Sequence, residues 1–584
     1  MNRSVGLAMT LVAGAVSQAY AQNTPIQHVI VIVGENHTFD NVFGTYQPSA
    51  GQKISNLLSK GIVNADGSPG PHHSAAAQRI GLDTGKYAAA TTSTGKYATL
   101  PQPWTSGALG QPSGVLDTRF PADLPNGPFQ ISWYVPFVAY TGDPVHRFYQ
   151  MWQETDGGAH DKFAWVESTI GTGSNGNPPP PGGFNPKEGS ISMGFYNMNP
   201  YIDASGTAQP GDLPVIKSFA DNYAISDNYH QAIMGGTGAN FQAIVAADAA
   251  FFTNPDGSAG TPYGNQIENP DAWKGTNNYY KQDGYGGGSY VGCFNPKLPG
   301  IKPVLDQLKQ AGVNNPKCDP GHYYLVNNYN MYWNQDGSTN TLGSDKFVLP
   351  PQSNSTIATV LDTANVSWKY YSADQGSDTT RYATEVDGIS LPFHSYCGIC
   401  DPLRGYTSVM TGADAQKLTN YGAFQDDLAA GTLPSVSFVR PFEALAGHPG
   451  DSTQNLYELF LQDLVAQVQA NPSLWATTAI VMTEDEGGGY YDSGYIQPVD
   501  FFGDGTRIPF IVVSPFAKKG FVDHTYYDHA SIAKFIEANW GTTKISARSR
   551  DNLPNPVASK GDPYVPVNGP AVGDLMNMFD FGKK

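Results

Sequence analysis

Short, well-separated apolar runs carry most of the regular pattern in this chain. Residues 27–33 (QHVIVIV) form a continuous β-branched run, the pattern of a strand buried on both faces. Similar runs predict strands at 366–371, 479–482 and 508–513. Helical spacing appears at 301–310, entered through Pro303, and at 354–364, where Asn354 or Ser355 can cap. Residues 456–469 and 529–539 read as further helices, and 241–246 is an apolar helical stretch. Strands alternating with helices predict a largely parallel central sheet with helices on its faces, an α/β fold. Between these elements the chain is irregular. Residues 44–137 show little periodicity, 171–189 with Pro178 to Pro181 is a loop, and 254–300 is rich in Tyr, Asn and Gly.

The length of 584 residues would suit three to five domains at roughly 100–200 residues each. No internal repeat or clean linker divides the chain, so a single domain over 22–584 is expected, with insertions at roughly 50–135 and 254–300. Charged residues make up only 14%, against about 25% in an average soluble protein. With 65 Gly and 44 Pro, that scarcity points to a loop-rich extracytoplasmic protein. The net charge of −18, without any basic run, excludes nucleic acid as a partner and disfavours anionic membranes. Arg3, the apolar stretch 5–16 and Ala19-Tyr20-Ala21 read as a secretory signal cut after Ala21. The stretch falls short of the ~20 residues that a spanning helix needs, so a secreted or periplasmic protein with no transmembrane segment after cleavage is expected. The four cysteines lie in two neighbourhoods, Cys293 with Cys318 and Cys397 with Cys400. In an exported chain these suggest two local disulfides. The alternative for Cys397-Gly-Ile-Cys400 is a redox or zinc pair.

Ligands of open parallel sheets bind beyond the carboxyl ends of the strands. Two predicted strands finish there in oxygen-rich pairs, Glu35-Asn36 and Asp485-Glu486. Charges directly after buried strands are costly unless they are paired or bind a metal. Together these side chains suit a hard divalent cation, Ca²⁺, Mg²⁺ or Mn²⁺, with Zn²⁺ ranked lower. The alternative is that they cap turns or face solvent. Thr237 stands among glycines (GGTGAN) ahead of a helical stretch, where N–H groups and the helix dipole attract phosphate. It reads either as a nucleophile activated by a metal or as a plain N-cap. His146, His394 and His448 sit near proline-containing loops as candidate acid–base groups.

Several motifs in register then carry a resemblance. GENHTFDNVFGTY (34–46), His146 with Trp152, DNYH…GGTGAN, SFVRP…GHPG (437–450), TEDEGGGYYD (483–492), RIPFIVVSPFAKKG (507–520) and YDHASIAKFIEANWG (527–541) together resemble the bacterial phosphoesterase family of acid phosphatases and phospholipases C. The resemblance implies an alkaline-phosphatase-like α/β fold and one bound divalent metal. It implies Glu35, Asn36, Asp485 and Glu486 as metal ligands with Thr237, and Thr237 as the nucleophile. It further implies His146, His394 and His448 around the phosphoryl group, with Asn240 and His146 contacting substrate. Asp485-Glu486 agrees with phospholipase-type members, whereas Tyr491-Asp492-Ser493 lacks the histidine that commonly follows Tyr-Asp in them. The chain also ends without the C-terminal extensions of the larger phospholipases C.

The leading expectation is a phosphomonoesterase acting through a phosphothreonine intermediate, with His448 as first choice of general acid. A phospholipase C acting on phosphodiesters such as phosphatidylcholine is the alternative. The Tyr/Gly-rich stretch 279–290 then offers an aromatic face for choline or simply packs. A non-catalytic secreted glycan-binding protein is the remote third reading.

Overall fold

Burial on both faces of one sheet organises the molecule. The computed structural model describes residues 22–582 apart from 83, 106–114, 171–188, 273–279, 283–287, 374–384, 387–388 and 391–395. Eight strands form the main sheet: β1 (His28–Gly34), β2 (Ala224–Ser226), β3 (Trp368–Ser372), β4 (Leu418–Asn420), β5 (Val436–Val439), β6 (Thr478–Glu484), β7 (Phe510–Val513) and β8 (Phe521–Asp523). Their order across the sheet is β4-β3-β5-β1-β6-β7-β2-β8. The helices used below are α1 (Phe148–Thr155), α2 (Pro214–Asn222), α3 (Thr237–Ala246), α4 (Ile357–Thr363), α5 (Gln454–Gln469) and α6 (Ala530–Trp540).

Alternate residues of β1 feed opposite cores. Ile30 and Ile32 pack with Ile480 and Met482 of β6 and with Phe460, Leu461 and Leu464 of α5. Val29, Val31 and Val33 face the other way, towards Phe241 and Ile244 of α3, Leu361 of α4 and Ile532 and Phe535 of α6. A strand covered on both sides has no polar face, so its sequence reads as a continuous apolar run. The architecture is the expected α/β one, a large central sheet flanked by helices.

The sheet is largely parallel, with one strand running against its neighbours. β7 is antiparallel to both β6 and β2, whereas β1, β5, β6, β3 and β4 pair in parallel. A parallel return requires a crossover, usually a helix. The glycine-rich segment between Glu484 and Phe510 contains no helix, and the chain reverses. α4 is capped by Thr356, through a capping box with Thr359, rather than by Asn354 or Ser355. α5 begins at Gln454, two residues before the expected start. Both local cysteine pairs are bridged, Cys293 to Cys318 and Cys397 to Cys400. Residues 1–21 and His394 lie outside the described residues, as do 279 and 283–287 of the Tyr/Gly-rich stretch; Tyr290 is buried against Phe252 and Tyr329. Among the described residues no helix is long and apolar enough to cross a membrane.

α2 obtains its cap from another helix. Leu213 precedes it with no side-chain cap bond, and Glu458 of α5 instead accepts from the Val215 and Ile216 N–H groups at 2.8 Å each. Burial raises the Glu458 carboxyl to about 8, against the lowering effect of those two hydrogen bonds. The folded state therefore retains a proton that the unfolded chain releases near 4.5. Its contribution to stability is complete below that pH and is lost as pH rises through about 8. Glu458→Gln is expected to change stability little at pH 4.5. At pH 8 it should be the more stable form, the gap opening at no more than about 1.4 kcal/mol per pH unit. Denaturant titrations of both proteins at the two pH values check this; a gap independent of pH would remove the buried-acid account.

Candidate active site

Register brings the first two polar pairs level. β1 and β6 run parallel with Gly34 opposite Glu484, so Glu35-Asn36 and Asp485-Glu486 leave adjacent strands at the same height. β5 flanks β1 on the other side, with Val439 opposite Ile32, and delivers Arg440 to the same edge. Glu35, Asn36, Arg440, Asp485 and Glu486 are all buried. Arg440 Nη2 donates to Glu35 Oε1, and also to Glu443 Oε2 at 3.1 Å.

Asn36 stands in the middle of this ring. Its backbone is left-handed, with φ 73°, a conformation that Asn tolerates better than most residues. One amide atom lies 3.1 Å from Glu486 Oε1 and 3.2 Å from Asp485 Oδ1, and the other lies 2.9 Å from His448 Nε2. With Nδ2 towards the carboxylates, Asn36 satisfies them alone and accepts from His448. With Oδ1 there, three oxygens converge and need a cation between them. Asp485 Oδ2 is buried with no hydrogen-bond partner, which again fits oxygen ligation of a divalent ion. Asn36, Asp485 and Glu486 thus offer oxygens that fit a metal, and Glu35 meets this ring through His448 Nε2 at 3.7 Å. They do not converge as tightly as two other groups whose ligand atoms lie within 4.8 Å of one another: Asp143 with His146 and His448, and Glu35 with Cys397, Cys400 and Glu443.

Both described histidines point Nε2 inward. The backbone carbonyls of Pro144 and Pro449 accept from His146 Nδ1 and His448 Nδ1, each at 2.7 Å, which fixes the proton on Nδ1. His146 Nε2 then faces Glu486 Oε1 at 3.6 Å, and His448 Nε2 faces Glu35 Oε2 at 3.7 Å. Burial, with Arg147 and His448 nearby, holds His146 well below its ordinary value. Burial would lower His448 too, but Asp143, Glu35, Asp451 and Glu443 outweigh it and raise this group to about 10. Burial raises Asp485 and Glu486 well above the usual carboxylate range; Glu35 adds to the first and Asp485 to the second.

Thr237 is the first residue of α3, and Gly236 occupies the cap position. The plain N-cap reading is therefore not what the structure has. A Cβ at Gly235 would fall 1.7 Å from the Val326 carbonyl, so the loop closes only with glycine there. One at Gly236 would fall 2.6 Å from Asn328 Oδ1 and 3.1 Å from Arg147 Nη1. Arg147 thus borders the Thr237 loop while standing next in sequence to His146. One turn on from Thr237, the Phe241 ring lies 6.0 Å from the Arg440 guanidinium carbon, and residues four apart share a helix face. Asn240 Oδ1 accepts from Ile233 N–H at 3.0 Å, and its Nδ2 donates to the Ile233 and Gly235 carbonyls. Its amide is spent on the loop.

Three features of the site escaped the sequence reading. Arg440 directly follows a buried strand, the same signal that singled out Glu35. His529 Nε2 donates to the Asp485 carbonyl at 2.6 Å while its Nδ1 accepts from Tyr229 at 3.1 Å, holding the end of β6. Cys400 Sγ lies 3.0 Å from Glu35 Oε1, a long-range contact without any local signal. The Asp227–His230 segment does not join the site. Asp227 accepts from Ser55 N–H and Tyr564 and pairs with His524, and His230 stacks on Tyr526.

The sequence profile described as the Phosphoesterase family matches residues 26–543. Phospholipase C B of Mycobacterium tuberculosis is 22% identical over 99% of this chain and 83% of its own length. A non-hemolytic phospholipase C of Burkholderia pseudomallei is 27% identical over 45% of this chain, and the match spans 40% of that protein. An acid phosphatase of Aspergillus fumigatus is 29% identical over 36% of this chain and 44% of its own length. With a profile match running from the first residues of β1 past the end of α6, the chain belongs to the phosphoesterase family.

Proposed function

We propose that the protein is an exported, metal-dependent phosphoesterase that hydrolyses phosphate monoesters through a phosphothreonine intermediate. The observation that carries this reading is the ring around Asn36, where Glu486, Asp485 and His448 meet one amide beside the Thr237 helix. A divalent ion held by Glu35, Asn36, Asp485 and Glu486 would lower the pKa of the Thr237 hydroxyl and offset charge on the phosphoryl oxygens. With its proton already lost to bulk water, Thr237 Oγ1 attacks phosphorus in line as an alkoxide, and the P–O bond to the alcohol breaks. His448, doubly protonated with Nδ1–H on the Pro449 carbonyl, gives its Nε2 proton to the departing oxygen. Water then cleaves phosphothreonine from the vacated side, with His448 taking the proton back. Asn328 holds the Thr237 loop by accepting from the Gly238 N–H at 2.8 Å, Arg147 borders that loop, Arg440 holds Glu35, and Asn240 acts as a positioning residue. The two disulfides support export.

A second reading, phospholipase C on phosphodiesters, is favoured by one feature. A cavity of about 1190 Å³ lined by Trp133, Tyr134, Phe137, Val215 and Phe219 opens beside the segment that leads to His146. Val138 on the same segment is 64% exposed.

Assays on p-nitrophenyl phosphate and p-nitrophenylphosphorylcholine, before and after metal stripping, decide between them. Fast monoester turnover, lost by at least about 100-fold on chelation (~2.7 kcal/mol) and restored by a divalent ion, is expected. The reverse substrate ratio would establish the phospholipase. Absence of metal-dependent turnover of either substrate would end both readings.

A further inference from the structure

The bridge Cys397–Cys400 lies against the group proposed as the first metal ligand. Cys400 is fully buried with its Sγ 3.0 Å from Glu35 Oε1, and Cys397 is partly exposed. Ligand atoms of Glu35, Cys397, Cys400 and Glu443 all lie within 4.8 Å of one another. While bridged, the sulfurs carry no charge and are weak acceptors, so Glu35 is left to Arg440 and the ring around Asn36.

We propose that this bridge masks a second cation site, and that reducing it creates a Cys2Glu2 centre for a thiophilic divalent ion such as Zn²⁺ or Cd²⁺. That centre competes for Glu35. The chemistry is ordinary thiol exchange with a dithiol. Its thiolate attacks the partly exposed Cys397 Sγ, the S–S bond breaks, and Cys400 leaves as a thiolate. The second thiol of the reductant then displaces Cys397. The cysteine pair gains two electrons and the reductant closes to a cyclic disulfide, while the two protons of its thiols pass to the cysteines. The loop has reason to stay in place when the bridge opens. Tyr370 of β3 donates to the Cys400 carbonyl at 2.5 Å, and Asp401 pairs with Arg404 at 2.6 Å. A thiolate held about 3 Å from a buried carboxylate is unfavourable until a proton or a cation comes between them. Two thiolates with two carboxylates form a four-ligand set suited to Zn²⁺ and its softer congener. The same bridge read as structure alone predicts none of this.

The cation binding is independent of the proposed function; only the accompanying loss of turnover rests on it. The test treats the full chain with dithiothreitol under argon without denaturant and removes the reductant. Released thiols are then mapped with iodoacetamide, and Cd²⁺ content is measured by equilibrium dialysis. Reduced protein is expected to bind one more Cd²⁺ per chain than oxidised protein, and that ion should shield Cys397 and Cys400 from alkylation. Phosphoesterase activity should fall at least tenfold with Cd²⁺ and return after chelation, reoxidation and re-addition of the divalent ion that supports turnover. The C293S/C318S variant should show the same gain. C397S/C400S should show none and should keep its rate through the cycle. Release of both thiols without extra Cd²⁺, or a bridge that native reduction does not open, would overturn the proposal. Should C397S/C400S fail to fold, the alkylation and dialysis of wild-type protein decide alone. An oxidised protein inactive on every phosphoester would sink the proposed function while leaving this test intact.

Discussion

Thr237→Ala is expected to lose turnover by at least about a thousandfold, roughly 4 kcal/mol of transition-state stabilisation, while folding and metal content stay nearly unchanged. The fold should tolerate the change because Thr237 is the first helical residue of α3 and not its cap, and alanine suits a helix. Metal should remain because Glu35, Asn36, Asp485 and Glu486 sit on the β1 and β6 ends, set by the sheet register. What disappears is the oxygen that attacks phosphorus. Steady-state rates, circular dichroism and metal analysis of the variant provide the check. Acid quenching of wild type during turnover should also trap phosphate on Thr237. If the variant kept a tenth of the wild-type rate, a loss of only ~1.4 kcal/mol, the covalent route would be wrong.

The second large effect concerns stability. Arg507→Met is expected to destabilise the fold by about 3–5 kcal/mol, the usual result of removing one partner from a buried ion pair. Arg507 is 1% exposed and grips Asp492 with a two-pronged contact, Nε to Oδ2 and Nη2 to Oδ1 at 2.9 Å each. Asp40 lies 3.3 Å from Nη2. Nη1 donates to the carbonyls of Ser55 at 2.6 Å and Asp227 at 2.9 Å. Burial pushes Asp492 up, but Arg507 outweighs it and holds this carboxyl down at about 2. Methionine fills the volume over Phe39 but leaves two buried carboxylates facing each other. Part of the loss should return in Arg507→Met/Asp492→Asn, which removes one of those charges. Denaturant unfolding measures both variants. A single variant within about 0.5 kcal/mol of wild type, the ordinary surface-substitution range, would show that the network is energetically idle.

Much of the fold was legible because both-face burial leaves a local signature. β1, β3, β6 and β7 carry apolar runs long enough to notice. β2, β4 and β8 are three residues each, and a three-residue run is no signal by itself. β5 (VSFV) has four residues, but Ser437 interrupts its apolar run, which hides Arg440 although it follows a buried strand as Glu35 does. The antiparallel course of β7 was not legible in its own residues; the lack of a crossover helix before it was the available hint. Within the site, the Nε2-inward setting of His146 and His448 depends on the Pro144 and Pro449 carbonyls. Only folded backbone supplies those positions.

The sequence by itself determined the class of the sheet, the pairs Glu35-Asn36 and Asp485-Glu486 beyond its strands, and a helix following the glycine-flanked Thr237. Each rests on neighbours in the chain, and local periodicity and burial cost act at that range. Tertiary structure alone decided which of these meet. The β1–β6 register sets the two acidic pairs level, β5 adds Arg440, and the α3 loop fits against Val326 only through Gly235. It also decided that a disulfide 365 residues further along touches Glu35. Contacts at such separations follow from how the layers pack, and no local pattern encodes them.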